Sequence, residues 1–562
     1  MSSVMIVILG LAGFSFGWFV YSRFIAEKIF RLDPDFVTPA HEINDGVDFV
    51  PTNKFVLWGA HFTSVAGASP IVGPAIAIYW GWVPAVIWVT LGSIFFAGVH
   101  DMGALWASAR HKGRSIGALS EDVVGKRTRT LFMIVIFLLL LMVNAVFGSI
   151  IAAEMIEFDT AVIPSWIVIP MAIGIGFLIR RNYNLLWISI IGVSILYFSV
   201  WVGAEIPLAL PETVLGMSDD AAWILILFTY AAIASMLPVW MLLQPRDYIN
   251  GAQLVVGLLL LYGAVLFAMP EVTAPAFNDM MREDTPSMFP LLFITVACGA
   301  LSGFHGIVSS GTTSKQLNKE PDARFVGYLG ALGEGSLALI TLVVVSSSMY
   351  AASPEQWHVL YDQFSKGGAS AFITGGGNLL SAAWGLPVVF ANTLLATMVV
   401  LFASTTMDAG VRLQRYIIQE WGTIYNIKAL ENNVVATLVA VGCCLALAFG
   451  AGGPTGNGGN IIWPLFGATN QILASLTLLV ISIFLIKLGR PAQYTLVPMA
   501  LVMVIASWGC AVQLVLFYNR EQWLLVVLSV AVLVASILVI LEAISVFSNL
   551  KKHGSASLGK QQ

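Results

Sequence analysis

The sequence predicts an all-α polytopic membrane protein. It has about fifteen transmembrane helices, an inverted-repeat core of five plus five spans with a broken first core helix, and additional peripheral helices. Composition is the first ground. The 562 residues are 58% hydrophobic and 10% charged, with a mean hydropathy of +0.86, whereas a soluble domain carries about 25% charged residues. Spacing is the second, because apolar runs of about 20 residues, the length that crosses a bilayer, recur between polar turns. The third is the stretch at 55–79, FVLWGAHFTSVAGASPIVGPAIAIY, where Gly67, Ser69, Pro70, Gly73 and Pro74 interrupt an otherwise spanning run. Each proline removes a helix hydrogen bond, and backbone opened at membrane depth survives only inside protein or beside a polar cavity.

In chain order the expected spans are 4–22, 55–79, 83–109, 130–153, 163–180, 185–203, 222–243, 252–269, 290–311, 326–350, 386–411, 433–452, 461–487, 494–518 and 523–547. The first lacks a basic n-region and a small-residue cleavage site, so it reads as a retained span and not a signal peptide. Alternate loops are basic: Arg110 to Arg129, Arg180 and Arg181, Arg246, Lys315 to Arg324, Arg412 to Lys428, Lys487 and Arg490, then Lys551 and Lys552. The opposite loops carry Glu205, Glu212, Asp219 and Asp220, then Glu271, Asp279, Glu283 and Asp284 with only Arg282. The positive-inside rule then predicts an outside N-terminus and a cytoplasmic C-terminus in a multi-pass membrane protein. Neither 23–54 nor 351–385 is long enough for a separate domain. The expected division is 1–380, holding most of the core, and 381–562, which completes and flanks it. A net charge of −4 without a basic patch excludes a nucleic-acid partner, and Cys298, Cys443, Cys444 and Cys510 read as packing residues in apolar runs.

Broken helices near the midplane build the substrate and ion sites of secondary transporters. With 55–79 as first core span, 222–243 is the sixth and runs the opposite way, as an inverted repeat requires. Ala231, Ala232, Ala234 and Ser235 precede Pro238 there, which makes it the expected partner break or a simple kink. The eighth span ends CGALSGFHGIVSSGTTSKQ. Ser302, Ser309, Ser310, Thr312 and Thr313 offer hard oxygen ligands of the kind that suit Na⁺, or simply allow close packing. Ionisable groups inside spans are His61, His100, Asp101, His305, Glu334 and Asp408. Each costs roughly 2.5–3.5 kcal/mol to insert unless it is paired or wet. Asp101 and Glu334 read as proton-titrated or as loop-paired carboxylates, and the histidines titrate near neutral pH. Asp408 and Arg412, four apart on one face, read as an intrahelical ion pair.

Residues 38–117, from TPAHEINDGVDFVPTNKFVLWGAHFTSVAGASPIVGPAIAIYW to ASARHKGRSIG, resemble the carbon starvation protein A family of transporters. SGFHGIVSSGTTSKQLNKEPDARFVGYLGALGEG at 302–335 and FASTTMDAGVRLQRYIIQE in the last third resemble it too. The resemblance implies kinship with the amino acid, polyamine and organocation superfamily and the inverted-repeat fold. It also implies uptake of peptides, or of pyruvate with protons, across the bacterial inner membrane during carbon limitation. The signature positions it assigns here are His61, Gly67, Pro70, Gly73, Pro74, His100, Asp101, Ser309, Ser310, Thr312 and Thr313. Where many relatives have paired histidines this chain has Ala60 then His61, and it has Ser69 where they have glycine.

The expected function is cation-coupled symport of a carboxylate-bearing nutrient, pyruvate or a short peptide, by alternating access. The expected substrate-binding set is His61, Gly67, Ala68, Ser69, Pro70, Gly73 and Ser235. The expected ion-coupling set is His100, Asp101, Ser302, His305, Ser309, Ser310, Thr312 and Thr313, serving H⁺ or else Na⁺ at the last four positions. Membrane lipid is the surrounding partner, and no cofactor is expected. A ligand-binding sensor without net transport is the alternative. An enzyme is not expected, because the in-span carboxylates lie on separate helices without HExxH-type spacing.

Overall fold

The computed structural model describes residues 2–553 except 47, 182, 239, 279–286 and 350–367. Arg282, Asp279, Glu283 and Asp284, residues 351–367 of the expected loop 351–385, and the tail from 554 lie outside the described residues; the rest of that expected loop is instead a largely buried helix, Ala369–Trp384. Among the described residues the regular structure is helical, apart from a two-stranded antiparallel hairpin, β1 (Thr213–Val214) and β2 (Met217–Ser218).

The helices that follow one another are α1 (Ser3–Phe30), α2 (Lys54–Ala66), α3 (Ser69–Trp80), α4 (Trp82–Arg110), α5 (Lys126–Glu157), α6 (Asp159–Arg180), α7 (Trp187–Glu205), α8 (Asp219–Met236) and α9 (Leu243–Ala268). Then come α10 (Met288–Thr295), α11 (Gly303–Gly311), α12 (Arg324–Met349), α13 (Ala369–Trp384), α14 (Val388–Tyr425), α15 (Asn433–Thr455), α16 (Ile461–Lys487), α17 (Gln493–Asn519) and α18 (Trp523–Val546). Among the described residues thirteen helices are long and apolar enough to cross a membrane, and α2 with α3 forms a further span bent by 46°. The interrupted pair α10 and α11 occupies the remaining expected position.

The partner of the first break is therefore α10/α11, not 222–243. Helix α8 ends at Met236, and Pro238 lies beyond it. Proline there stops a helix that has already crossed, and the small residues before it do not open the backbone. The real interruption runs from Val296 to Ser302, with Gly299 at φ +96°. As first and eighth crossings, α2/α3 and α10/α11 run in opposite directions, as inverted units require.

Packing repeats in the same sense. α9 lies along α2, while α16 lies along α10 and α11. The helix after each break packs on the other unit's break: α4 on α11, and α12 on α2 and α3. The long helices α5 and α14 lie side by side at the centre. Helices α6 and α7 pack on each other and on α9 and α14, an insertion between third and fourth helices of the first unit.

Several expected boundaries shift, among them the start of α9, which is Leu243 and not 252. The first span continues to Phe30. The span expected at 386–411 continues to Tyr425, and its 38 residues reach well past the roughly 30 Å hydrocarbon layer. Arg412 is accordingly buried in protein instead of lying in a loop. It does not pair with Asp408: its Nη2 donates to the carbonyls of Ala234 (2.9 Å) and Leu237 (2.7 Å), capping the end of α8.

Beside the basic end of α4, fully buried Glu320 accepts from Arg110 Nε at 2.5 Å and Nη2 at 2.8 Å, and from the Asp33 backbone N–H at 2.5 Å. Glu320→Gln removes the charge that Arg110 needs. With Arg110 27% exposed, the loss is expected near roughly 3 kcal/mol, the lower end for a broken buried pair. A clear fall in melting temperature of the purified protein checks it, and an unchanged melt would show that the pair contributes little.

Candidate substrate and coupling site

The two interruptions meet. Residues 65–80 are all buried, so nothing of the first break faces lipid or water. Gly67 ends α2 at φ +47°, a left-handed value that costs a non-glycine residue about 1 kcal/mol or more. Pro70 sits at the start of α3, where its missing N–H is no loss. Ala68 O takes the N–H groups of Ile71 and Val72, closing the first turn. Opposite, the α10–α11 connection crosses so closely that a Cβ on Gly73 would lie 2.5 Å from the Thr295 carbonyl oxygen. The Gly299 backbone packs on Pro70, and Ser93 Oγ of α4 donates to Gly299 O at 2.9 Å. Ser69 Oγ is buried without a hydrogen bond, beside the Cys298 thiol of the second break.

Next to this crossing runs a line of buried titratable groups. Asp101 takes one histidine on each oxygen: His100 Nδ1 at 2.7 Å on Oδ1 and His305 Nδ1 at 2.8 Å on Oδ2. His305 Nε2 in turn lies 3.1 Å from Glu334 Oε2, within ion-pair reach but off the angle of a hydrogen bond. All four side chains are essentially sealed from solvent. An imidazole between two carboxylates donates to both only when both its nitrogens are protonated. Removing one proton leaves one carboxylate without its donor. His305 thus links the two carboxylates, Asp101 through a hydrogen bond and Glu334 through a close approach.

His61 lies at the edge of this unit. Its Nδ1 is 3.0 Å from Thr313 Oγ1, tying α2 to the segment after α11, and its Nε2 has no partner.

The hydroxyls divide among separate partners. Ser302 bonds Asn470 of α16, whose Nδ2 donates to Ser302 Oγ at 3.0 Å. Ser310 donates to Gly306 O at 2.6 Å and accepts the Ile116 N–H at 2.9 Å. Thr312 is exposed and bonds back to Val308 O. Thr313 holds His61, and only Ser309 Oγ is buried without a partner. Of the four expected Na⁺ ligands, Ser310, Thr312 and Thr313 each have a hydrogen-bond partner, and Ser309 Oγ has none. Ser235 donates to Ala232 O at 3.0 Å within its own helix, which places it in the helical scaffold and not with the break. Among the described residues no group of three or more His, Cys, Asp or Glu could hold a metal ion.

Two residues join the site that the expected sets omit, Asn470 and Glu334. Asn470 stands in GATNQILAS, where three consecutive polar residues inside an apolar span are the available signal.

Residues 2–509 match the family described as Carbon starvation protein CstA. A protein named Peptide transporter CstA from Campylobacter jejuni is 32% identical, over 90% of this chain and 80% of its own length. One named Pyruvate/proton symporter BtsT from Escherichia coli is 30% identical, over 91% of this chain and 82% of its own. Among solved structures, MhsT in complex with L-phenylalanine overlays with a TM-score of 0.46 at 13% identity, covering 88% of this chain and 99% of that one.

Proposed function

Because this chain belongs to the carbon starvation protein CstA family, we propose that it is a secondary active transporter importing a small carboxylate-bearing nutrient, pyruvate or a short peptide, by proton symport. The observation that carries the reading is the crossing of two broken helices against the sealed line His100–Asp101–His305–Glu334. Substrate binds at the breaks around Gly67, Ala68, Ser69, Pro70 and Gly73, with His61 at the rim. The start of α3 offers its positive dipole end to a carboxylate. Protonation of the Asp101–His305–Glu334 unit changes which carboxylate holds the imidazole, and so biases one packing of α4, α11 and α12 against the other. The chain works by binding and movement, without catalysis. It sits in the bacterial inner membrane with its N-terminus outside and its basic loops and C-terminus in the cytoplasm.

Purified protein in liposomes tests this. Labelled pyruvate and dialanine are offered under an inward proton gradient, an inward sodium gradient, or neither. Accumulation of one of them driven by protons is the expected result. Accumulation driven by sodium alone would move the coupling to the oxygen ligands. Binding without flux under any gradient would overturn transport in favour of a sensor.

A further inference from the structure

A second buried polar cluster lies between α8, α9 and α14, away from the proton line. The alternation of basic loops places Arg246 in a cytoplasmic loop, yet it is in the first turn of α9 and only 2% exposed. A loop arginine would need no partners, whereas this one is held by two. Its Nη1 donates to Tyr230 Oη at 2.6 Å and lies 2.6 Å from Asp408 Oδ2, and Tyr230 donates to the same carboxylate oxygen at 2.9 Å. Asp408 is thereby paired with Arg246.

The guanidinium is not used up. Nε and Nη2 are buried and have no hydrogen-bond partner. These two nitrogens form one edge of the group, with parallel N–H bonds at the spacing of a carboxylate's two oxygens. Leaving charged donors unsatisfied inside a membrane protein is costly, and such a group is a functional-site candidate by default. Arg246 and Tyr230 also line a cavity with Trp166, Leu227 and Ser404. At about 20 Å³ it admits a water-sized group, so a larger ligand enters only as the lining helices part. Neighbouring Asp247, whose Oδ2 faces Ser64 of α2 at 3.4 Å, joins the cluster to the first broken helix.

We infer that the Nε–Nη2 edge of Arg246 is a carboxylate-binding site, engaged by the substrate's carboxylate when the helices around it part. The inference rests on the reading that the transported molecule carries a carboxylate. It adds a station for that group beyond the α3 terminus, with Asp408 and Tyr230 as positioning residues that hold the guanidinium.

The test is binding to the full-length protein in lipid nanodiscs, with pyruvate, dialanine and the amide of each as probes. The unaltered protein is expected to prefer acid over amide. Arg246→Lys keeps a cation for Asp408 but loses the forked edge, and the acid preference is expected to fall roughly tenfold or more. The charge swap Arg246→Asp with Asp408→Arg restores an ion pair, and thus the melting temperature, without restoring the preference. Normal acid preference in Arg246→Lys, or its recovery in the swap, would overturn the inference and leave a structural ion pair. Absence of acid preference in the unaltered protein would instead remove the substrate reading, and this inference with it.

Discussion

Asp101→Asn is expected to abolish proton-driven accumulation, by roughly a hundredfold or more, the equivalent of about 3 kcal/mol. Asparagine has the same shape, but it presents one acceptor and one donor where Asp101 presents two acceptors to His100 Nδ1 and His305 Nδ1. One histidine then faces an N–H, and must change tautomer or lose the contact. The imidazole of His305 also loses one of its two flanking carboxylates, so Glu334 becomes the only charge beside it. Glu334→Gln removes the other end of the unit while leaving Asp101 with both histidines. It is expected to keep exchange of labelled for unlabelled substrate across the liposome membrane but to lose the response to a pH gradient. Exchange and melting together separate lost coupling from lost folding. Gradient-driven accumulation at the unaltered rate in both variants would show that protons are carried elsewhere.

Much of this site is legible in the sequence, for identifiable reasons. Gly67, Pro70 and Gly73 announce a break because proline and glycine act on the backbone locally, whatever the neighbours. His61, His100, Asp101 and His305 stand out because an ionisable group in an apolar run is costly enough to need a purpose. The second break is less visible. Val296 to Ser302 contains no proline, and its opening depends on contacts that the sequence does not show: Ser93 Oγ on Gly299 O, and Asn470 Oδ1 accepting the Phe304 N–H at the start of α11. Pro238 is the stronger local signal, yet it falls where α8 has already ended. Arg246 misleads for a related reason. The run LQPRDY reads as a polar turn, and only Asp408, far along the chain on α14, reveals that the guanidinium is inside.

Gly73→Ala is expected to stop uptake and to lower stability, because the added methyl meets backbone instead of a side chain. Its Cβ would lie 2.5 Å from Thr295 O and 3.5 Å from Val296 Cα. A crowded side chain can rotate away, but this carbonyl is fixed by the end of α10, so the two broken helices must separate. Overpacking of this kind costs roughly 1–3 kcal/mol. Gly467→Ala pushes the adjoining backbone, with its Cβ driven against Ile294 O, and is expected to give the same double loss. Gly59→Ala is the control: it lies in α2 with nothing within 4 Å of the added methyl, and alanine favours helix by roughly 1 kcal/mol, so uptake and melting should be held or improved. The comparison isolates the crossing from glycine content as such. If Gly73→Ala melts lower but transports normally, the breaks pack the core without carrying substrate, and the site moves to the Arg246 cavity. If it transports and melts normally, the contact between the two interruptions is not required at all, and the close approach of α3 to the 294–301 backbone has no part in the transport cycle.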